Sequence, residues 1–460
     1  MLAMAVSNKP PRGPMKSIEA FLKEHGIDEV ECLVPDLAGI ARGKILPANR
    51  FLEVMANAGL RIPEAIFVQT VTGDYPDEGV ISPTIQDVYM IPDPNTIRLV
   101  PWYTDPTAQI ICDARYHDGS PVEISSRSVL KRVLELYAAR GWVPDVAPEL
   151  EFYLVEANTD PDTPLKPPIG RSGRRETSRQ AYGVDAVNEF DPLFEDVYDF
   201  CEAQNIDIDT LSHEAGAAQM EMNLNHGPAL DLADQAFLFK RTVREAGLRH
   251  KVHATFMAKP MQGQPGSSMH VHQSIRDAKT GRNLFAQKSG KDSALFRSYI
   301  AGLQKHLPAV MPLLAPNVNS YRRLVRDSDA PINTHWSYDN RTVGLRVPHS
   351  DANNRRVENR LAGADANPYL AIAASLACGY LGMADRAKPR APVEGSAYRL
   401  AHTLPRTLYD ALSRLNANRA VKDILGELFV EAVILVKETE LDAYQQVISS
   451  WEREHLLLNV

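Results

Sequence analysis

Four short stretches of the chain repeat one design, in which acidic, basic or imidazole side chains alternate with apolar ones at the two-residue period of a β-strand. In Pro148–Leu154 (PELEFYL), Glu149 and Glu151 share one face while Leu150, Phe152 and Leu154 share the other. In Ala218–Leu224 (AQMEMNL) the polar face is Gln219, Glu221 and Asn223, with Glu214 just upstream. In Met269–Ser274 (MHVHQS) it is His270, His272 and Ser274, and in Arg355–Arg360 (RRVENR) it is Arg356, Glu358 and Arg360. Solvated strands usually mix lysine and threonine with acids, and none of these four carries a lysine. Five glutamates and a histidine on neighbouring strands repel one another unless positive charge sits among them. An oxygen-rich set of this kind suits Mg²⁺ or Mn²⁺ better than zinc.

The segment Asn319–Arg360 gathers arginines around that one glutamate, among turn-forming and β-branched residues. A guanidinium presents a planar fork that fits carboxylate and phosphate oxygens, and it stays charged when water is excluded. Taken alone, the segment reads equally well as a solvated, salt-bridged edge strand. Taken with the carboxylate strands, it suggests two hard cations facing an arginine cluster, and therefore ATP.

These residues need a scaffold, and the chain is long enough to provide one. Its 460 residues are 44% hydrophobic and 23% charged, an ordinary globular composition. A formal charge of −8 and the absence of a basic tail argue against a nucleic-acid footprint. The longest apolar run, near Ala371–Ala384, is too short to span a bilayer and is expected to be a buried helix. Cys32, Cys112, Cys201 and Cys378 are scattered singly, and the N-terminus lacks a signal peptide's apolar centre, so a reduced, cytoplasmic setting is expected.

Residues 1–14 read as a disordered extension, after which Ser17 is expected to cap a short helix closed by Gly26. Strands are expected at Val30–Val34, Ile66–Val71, Val88–Ile91, Ile97–Pro101 and Gln109–Cys112, with a hairpin at DLAGIARGK (Asp36–Lys44). That is a small, mostly β domain over 15–120. A boundary near His117–Pro121 opens a second domain, 121–460, where helices alternate with short strands. Its helices at Ser126–Gly141, Pro192–Ala203, Ala229–Ala246, Ser293–His306 and Asn367–Ala384 carry ordinary core stripes. Asn158–Arg175 reads as a surface loop.

Taken in order, PELEF, SHEAGAAQMEMN, GSSMHVHQS, NSYRRLVRDSDAP, DNR, GLR, RRVENR and GADANPYLA make nearly the whole chain resemble the glutamine synthetase family. The resemblance is to its γ-glutamylpolyamine and γ-glutamyl-amine branch. It implies an α+β fold, with a small N-terminal β-grasp domain and a large catalytic domain whose curved antiparallel sheet is flanked by helices. It also implies a homododecamer of two stacked hexameric rings with active sites between subunits. The cofactors it implies are ATP and two or three Mg²⁺ or Mn²⁺. By resemblance one cation falls to Glu151, Glu214 and Glu221, and the other to Glu149, His270 and Glu358. Arg323, Arg360 and Gly266 match acid-substrate positions. Arg341, Arg346 and Arg356 match those around the phosphates, and His272 and Ser274 match the nucleotide pocket. Asp329 stands where the family has a glutamate that takes the proton of the attacking amine.

Three positions depart from that pattern. Asp329 is one methylene shorter than the family's glutamate, and Pro265 replaces an asparagine beside Gly266. The family's ammonium loop gives way to Thr72-Gly73-Asp74-Tyr75-Pro76-Asp77-Glu78. Losing a small, fully coordinated ammonium cage points to an amine with a carbon body. The acids Asp74, Asp77 and Glu78 suit a polyamine, while Tyr75 and Trp336 suit an aromatic amine. The expected activity is ATP-dependent joining of the γ-carboxylate of glutamate, or a close analogue, to an organic amine through an acyl phosphate. The alternatives are an ammonia-dependent glutamine synthetase and a non-catalytic relative.

Overall fold

The computed structural model describes residues 12–57, 59–76, 79–80, 86–326 and 328–460. Helix α1 (Arg12–Glu24) starts before Ser17, so Ser17 lies inside the helix and does not cap it; residues 1–11 of the expected extension lie outside the described residues. The first sheet comprises β1 (Glu29–Pro35), β2 (Ala41–Pro47), β3 (Leu60–Pro63), β4 (Asp87–Pro92), β5 (Arg98–Leu99) and β6 (Thr107–Arg115), with helix α2 (Ala48–Asn57) between β2 and β3. Its order is β2-β1-β6-β4-β3, with β5 also on β6. The β1–β6 pair is parallel and the rest antiparallel. Val30, Cys32 and Val34 of β1 are fully buried, as suits a strand near the middle of the sheet. The hairpin at Asp36–Lys44 forms as expected, whereas Ile66–Val71 is no strand: Glu64–Val68 is a 3₁₀ turn.

The second sheet is built on β7 (Trp142–Glu156), and its order is β13-β14-β15-β12-β7-β9-β8 once all its strands are placed. Its members are β8 (Ile208–His213), β9 (Gln219–Leu224), β10 (Gly227–Pro228), β11 (Val252–Thr255), β12 (Met269–Asp277), β13 (Trp336–Tyr338), β14 (Leu345–Val347) and β15 (Val357–Asn359). Every pairing is antiparallel except β13 with β14, so the expected antiparallel sheet carries one parallel pair at its edge. Register does the positioning: His270 lies opposite Glu149, Glu221 opposite Glu151, and Glu358 opposite both His272 and Arg346.

The apolar face of β7, with Leu150, Phe152 and Leu154 fully buried, packs toward a helical layer. That layer contains α3 (Ser126–Ala138), α4 (Val184–Asn188), α5 (Asp191–Ala203), α6 (Ala229–Arg249), α7 (Ala294–His306), α8 (Met311–Leu314) and α9 (Pro368–Ala384). The chain closes with α10 (Leu408–Ala417), α11 (Arg419–Leu425), α12 (Glu427–Gln445) and α13 (Ser450–Leu456). Apolar all round, α9 is buried against α3, α6 and α7. Small residues let it cross α7 closely: a Cβ on Gly302 would sit 2.2 Å from the Cys378 carbonyl oxygen, and one on Gly382 2.2 Å from that of Ser298. Arg127 of α3 ties the two sheets' surroundings together, donating to Asp113 (2.6 Å), Asp93 (2.8 Å) and Asp234 (2.9 Å). Among the described residues no helix is long and apolar enough to cross a membrane.

Candidate active site

The polar faces of β7, β9, β12 and β15 converge as their alternation requires. Glu149 lies 2.8 Å from Nε2 of His272 and 3.3 Å from Nδ1 of His270. Glu358, 1% exposed, accepts from Nη1 of Arg360 at 2.6 Å and Nη1 of Arg346 at 2.9 Å. Glu151 accepts from the Ser268 hydroxyl (2.5 Å) and backbone N–H (2.8 Å), and lies 3.4 Å from the Gln219 amide. Arg356 lies just before β15 and not within it, yet its Nε still donates to Nδ1 of His272 at 3.1 Å.

Electrostatics divides the carboxylates into two kinds. Burial would raise Glu358, but Arg360 and His270 hold it down to about 2. Burial opposes the same trend at Glu149, where His270 and His272 keep the carboxyl well below its usual range. At Glu221, burial and then Glu149, Glu151 and Glu214 push the carboxyl up to about 9 against a hydrogen bond from the Asn223 side chain. Burial and Glu151 push Glu214 up to about 7. This is a hole in the charge distribution that a divalent cation would fill, and the oxygen-rich donors suit Mg²⁺ or Mn²⁺.

Two sets of donor atoms already lie within 4.8 Å of one another: Glu149 with His272 and Glu358, and Glu149 with Glu221 and His270. Both draw on Glu149, so these groupings cut across the two triads that the resemblance implies. His272, expected only at the nucleotide, also reaches the metal-type cluster. Glu151 and Glu214 belong to neither set.

A cleft of about 320 Å³ opens beside the cluster, lined by Glu149, His272, Ser274, Arg276, Asn223 and Arg356, so three of the residues expected around ATP, His272, Ser274 and Arg356, share one cavity that Arg341 and Arg346 do not line. Arg323 is buried, donates to the Leu361 carbonyl, and is lowered by burial to about 10. Gly266 is required beside it, because a Cβ there would lie 2.4 Å from Arg323 Cγ and 2.7 Å from the Ala258 carbonyl oxygen. Arg341 is exposed, yet its charge reaches Glu214. Asp329 is exposed at a left-handed φ of 60°, which leaves its carboxylate on a sharply turned loop.

Of the amine-pocket candidates, Asp74 and Tyr75 are adjacent on one loop, and neither lines the cavity at Trp336. Asp74 closes a tight turn, accepting from the Thr72 hydroxyl at 2.8 Å, and Tyr75 is 45% exposed. Trp336 is buried, gives its indole N–H to the Arg390 carbonyl (2.6 Å), and lines a different cavity. Asp77 and Glu78 lie outside the described residues.

Two further contributors were not singled out by sequence. Ser268, within GSSMH, holds Glu151 by two bonds, and its adjacency to the histidine strand is the only signal of it. Glu176 reaches from the 158–183 loop to Nε2 of His213 (3.0 Å) and the Ala218 N–H (3.0 Å), bracing the turn that carries Glu214. That contact spans a loop whose path no local pattern dictates.

Known proteins share this arrangement of elements. The glutamine synthetase catalytic-domain family model matches residues 123–456. γ-Glutamylputrescine synthetase PuuA of Escherichia coli (strain K12) is 35% identical over 94% of this chain and 92% of its own. Glutamate–isopropylamine ligase of a Pseudomonas species is 32% identical over 95% and 96%. A solved GmaS/ADP complex matches with a TM-score of 0.82 at 28% identity, covering 95% of this chain and 98% of that one. With its catalytic face, its fold and these relatives in agreement, the chain belongs to the glutamine synthetase family.

Proposed function

We propose that this protein is an ATP-dependent ligase joining the γ-carboxylate of glutamate, or a close analogue, to an organic amine. The observation that carries the reading is the cation-deficient carboxylate cluster flanked by Arg323, Arg346 and Arg360 and opening onto the cleft of His272, Ser274 and Arg356. Relatives named for putrescine and isopropylamine support an amine with a carbon body as the second substrate.

A carboxylate is a poor electrophile, so one of its oxygens first attacks the γ-phosphorus of ATP, forming an acyl phosphate as ADP leaves. Arg323 and Arg360 hold the acid, while Arg341, Arg346 and Arg356 balance the negative charge gathering on the transferred phosphoryl group; one such donor is worth roughly 3 kcal/mol of barrier. Two or three Mg²⁺ or Mn²⁺, held by Glu151, Glu214 and Glu221 and by Glu149, His270 and Glu358, would supply further neutralisation there. The amine nitrogen then forms the new C–N bond, phosphate departs with the C–O bonding pair, and Asp329 takes the proton from nitrogen.

The same reading takes 15–120 as a β-grasp domain and 121–460 as the catalytic domain of a cytoplasmic homododecamer. Exposed Trp451, Leu457 and Leu458 at the C-terminus support burial against another subunit. The test is phosphate release with ATP, Mg²⁺, glutamate and a panel of amines including ammonium. Amine-dependent release is expected, and no release with any acid and amine pair would reject the reading.

A further inference from the structure

A second cavity, of about 840 Å³, opens between the N-terminal turn of α7, the C-terminal end of α9 and the segment 386–392. Arg140, Arg297, Arg386, Lys388 and Arg390 line it, and no carboxylate does among the described residues. Nearby acids are committed elsewhere: Asp292 to Arg355 and the Tyr338 hydroxyl, and Asp385 to Lys305 at 3.6 Å. Five like charges around one space repel one another, and no carboxylate among the described residues pairs with any of them: Arg390 donates to the Thr334 hydroxyl at 3.3 Å and Arg140 lies over the Tyr380 ring at 5.8 Å. The Ser293-capped N-terminus of α7 brings a positive dipole end to the cavity and the C-terminal end of α9 a negative one, so the net positive character rests on the five side chains.

The cavity also offers flat surfaces. Trp336 is fixed by its bond to Arg390 and meets Tyr338 edge-on at 5.3 Å, and Arg140 lies over the Trp142 ring at 5.8 Å. Rigid aromatics beside guanidinium groups that no carboxylate engages match a planar ring carrying several negative charges, and the volume falls in the range of ordinary ligand pockets.

We propose that this cavity is a second binding site for a nucleoside di- or triphosphate, separate from the cleft at His272 and Arg356. The test counts ADP bound per chain by equilibrium dialysis at low salt. Wild type is expected to bind two equivalents. Arg297→Glu/Arg386→Glu is expected to bind one, with unchanged melting temperature and unchanged KM for ATP. The gentler Arg297→Gln/Arg386→Gln is expected to weaken the second equivalent at least tenfold. One equivalent in wild type, or two undiminished in both variants, overturns the proposal. Tripolyphosphate should displace the second equivalent at least tenfold less well than ADP, and equal displacement overturns the assignment to a ligand with a ring.

Discussion

Glu221 and Glu214 bear the electrostatic cost of the cluster, and that cost is measurable. Their folded-state values, about 9 and about 7, lie above the usual carboxylate value of 4.5. The metal-free folded chain therefore keeps protons that the unfolded chain has already released. Stability is undiminished below the unfolded value and falls as pH rises through about 4.5 to 9. Melting temperature without metal should drop between about pH 6 and 9, and millimolar Mg²⁺ should flatten the slope while releasing protons on binding. A metal-free melting temperature that rises over this range would contradict the charge assignment. Gly266 gives a second prediction. A methyl group there must displace Arg323, so Gly266→Ala should raise KM for the acid substrate by at least about tenfold, the loss of one charged hydrogen bond, with KM for ATP nearly unchanged. Equal changes in both constants would mean that Arg323 does not hold the acid.

At the scale of elements, the period-two alternation made the faces of β7, β9 and β12 legible, because one face of each must be apolar to build the core. Pairing was not legible: that His270 lies opposite Glu149 depends on turns and long loops, which carry no periodic signal. Strand ends suffered similarly. β15 covers only Val357–Asn359, so Arg355 and Arg356 reach their partners from irregular chain, with Arg355 drawn to Asp292. Helix α1 begins ahead of Ser17 because its apolar stripe outweighs a capping preference worth about 1 kcal/mol. The apolar run of α9 predicted burial, but not that Gly382 exists for a backbone crossing. Gly382→Ala should therefore destabilise the fold by about 1–3 kcal/mol, read as a lower urea midpoint at constant m-value. An unchanged midpoint would show that α7 and α9 can part at no cost.

For the molecule as a whole, class and family were legible from the ordered motifs, while the nucleophile was not, since its pocket is shaped by loops. Trp336 illustrates the difficulty: its aromatic character suggested an amine pocket, and in the fold it is a fixed wall of the cavity between α7 and α9. The altered loop begins in a turn at Thr70–Asp74, with Asp74 held by Thr72, Tyr75 exposed, and the Val71 N–H anchored to Glu440 of α12 at 2.9 Å. Ammonium needs a tight cage of oxygens to replace its water, and among the described residues of this loop an exposed tyrosine stands beside one tethered carboxylate. A primary amine gains binding from its carbon body instead, at about 0.8 kcal/mol per buried CH₂, so two or three methylenes are worth roughly ten- to a hundredfold. We therefore expect kcat/KM for at least one organic amine to exceed that for ammonium by tenfold or more in the same phosphate-release assay. If ammonium instead proves the best nucleophile of the panel, the protein is an ammonia-dependent glutamine synthetase, and the loop at 70–76 has another role.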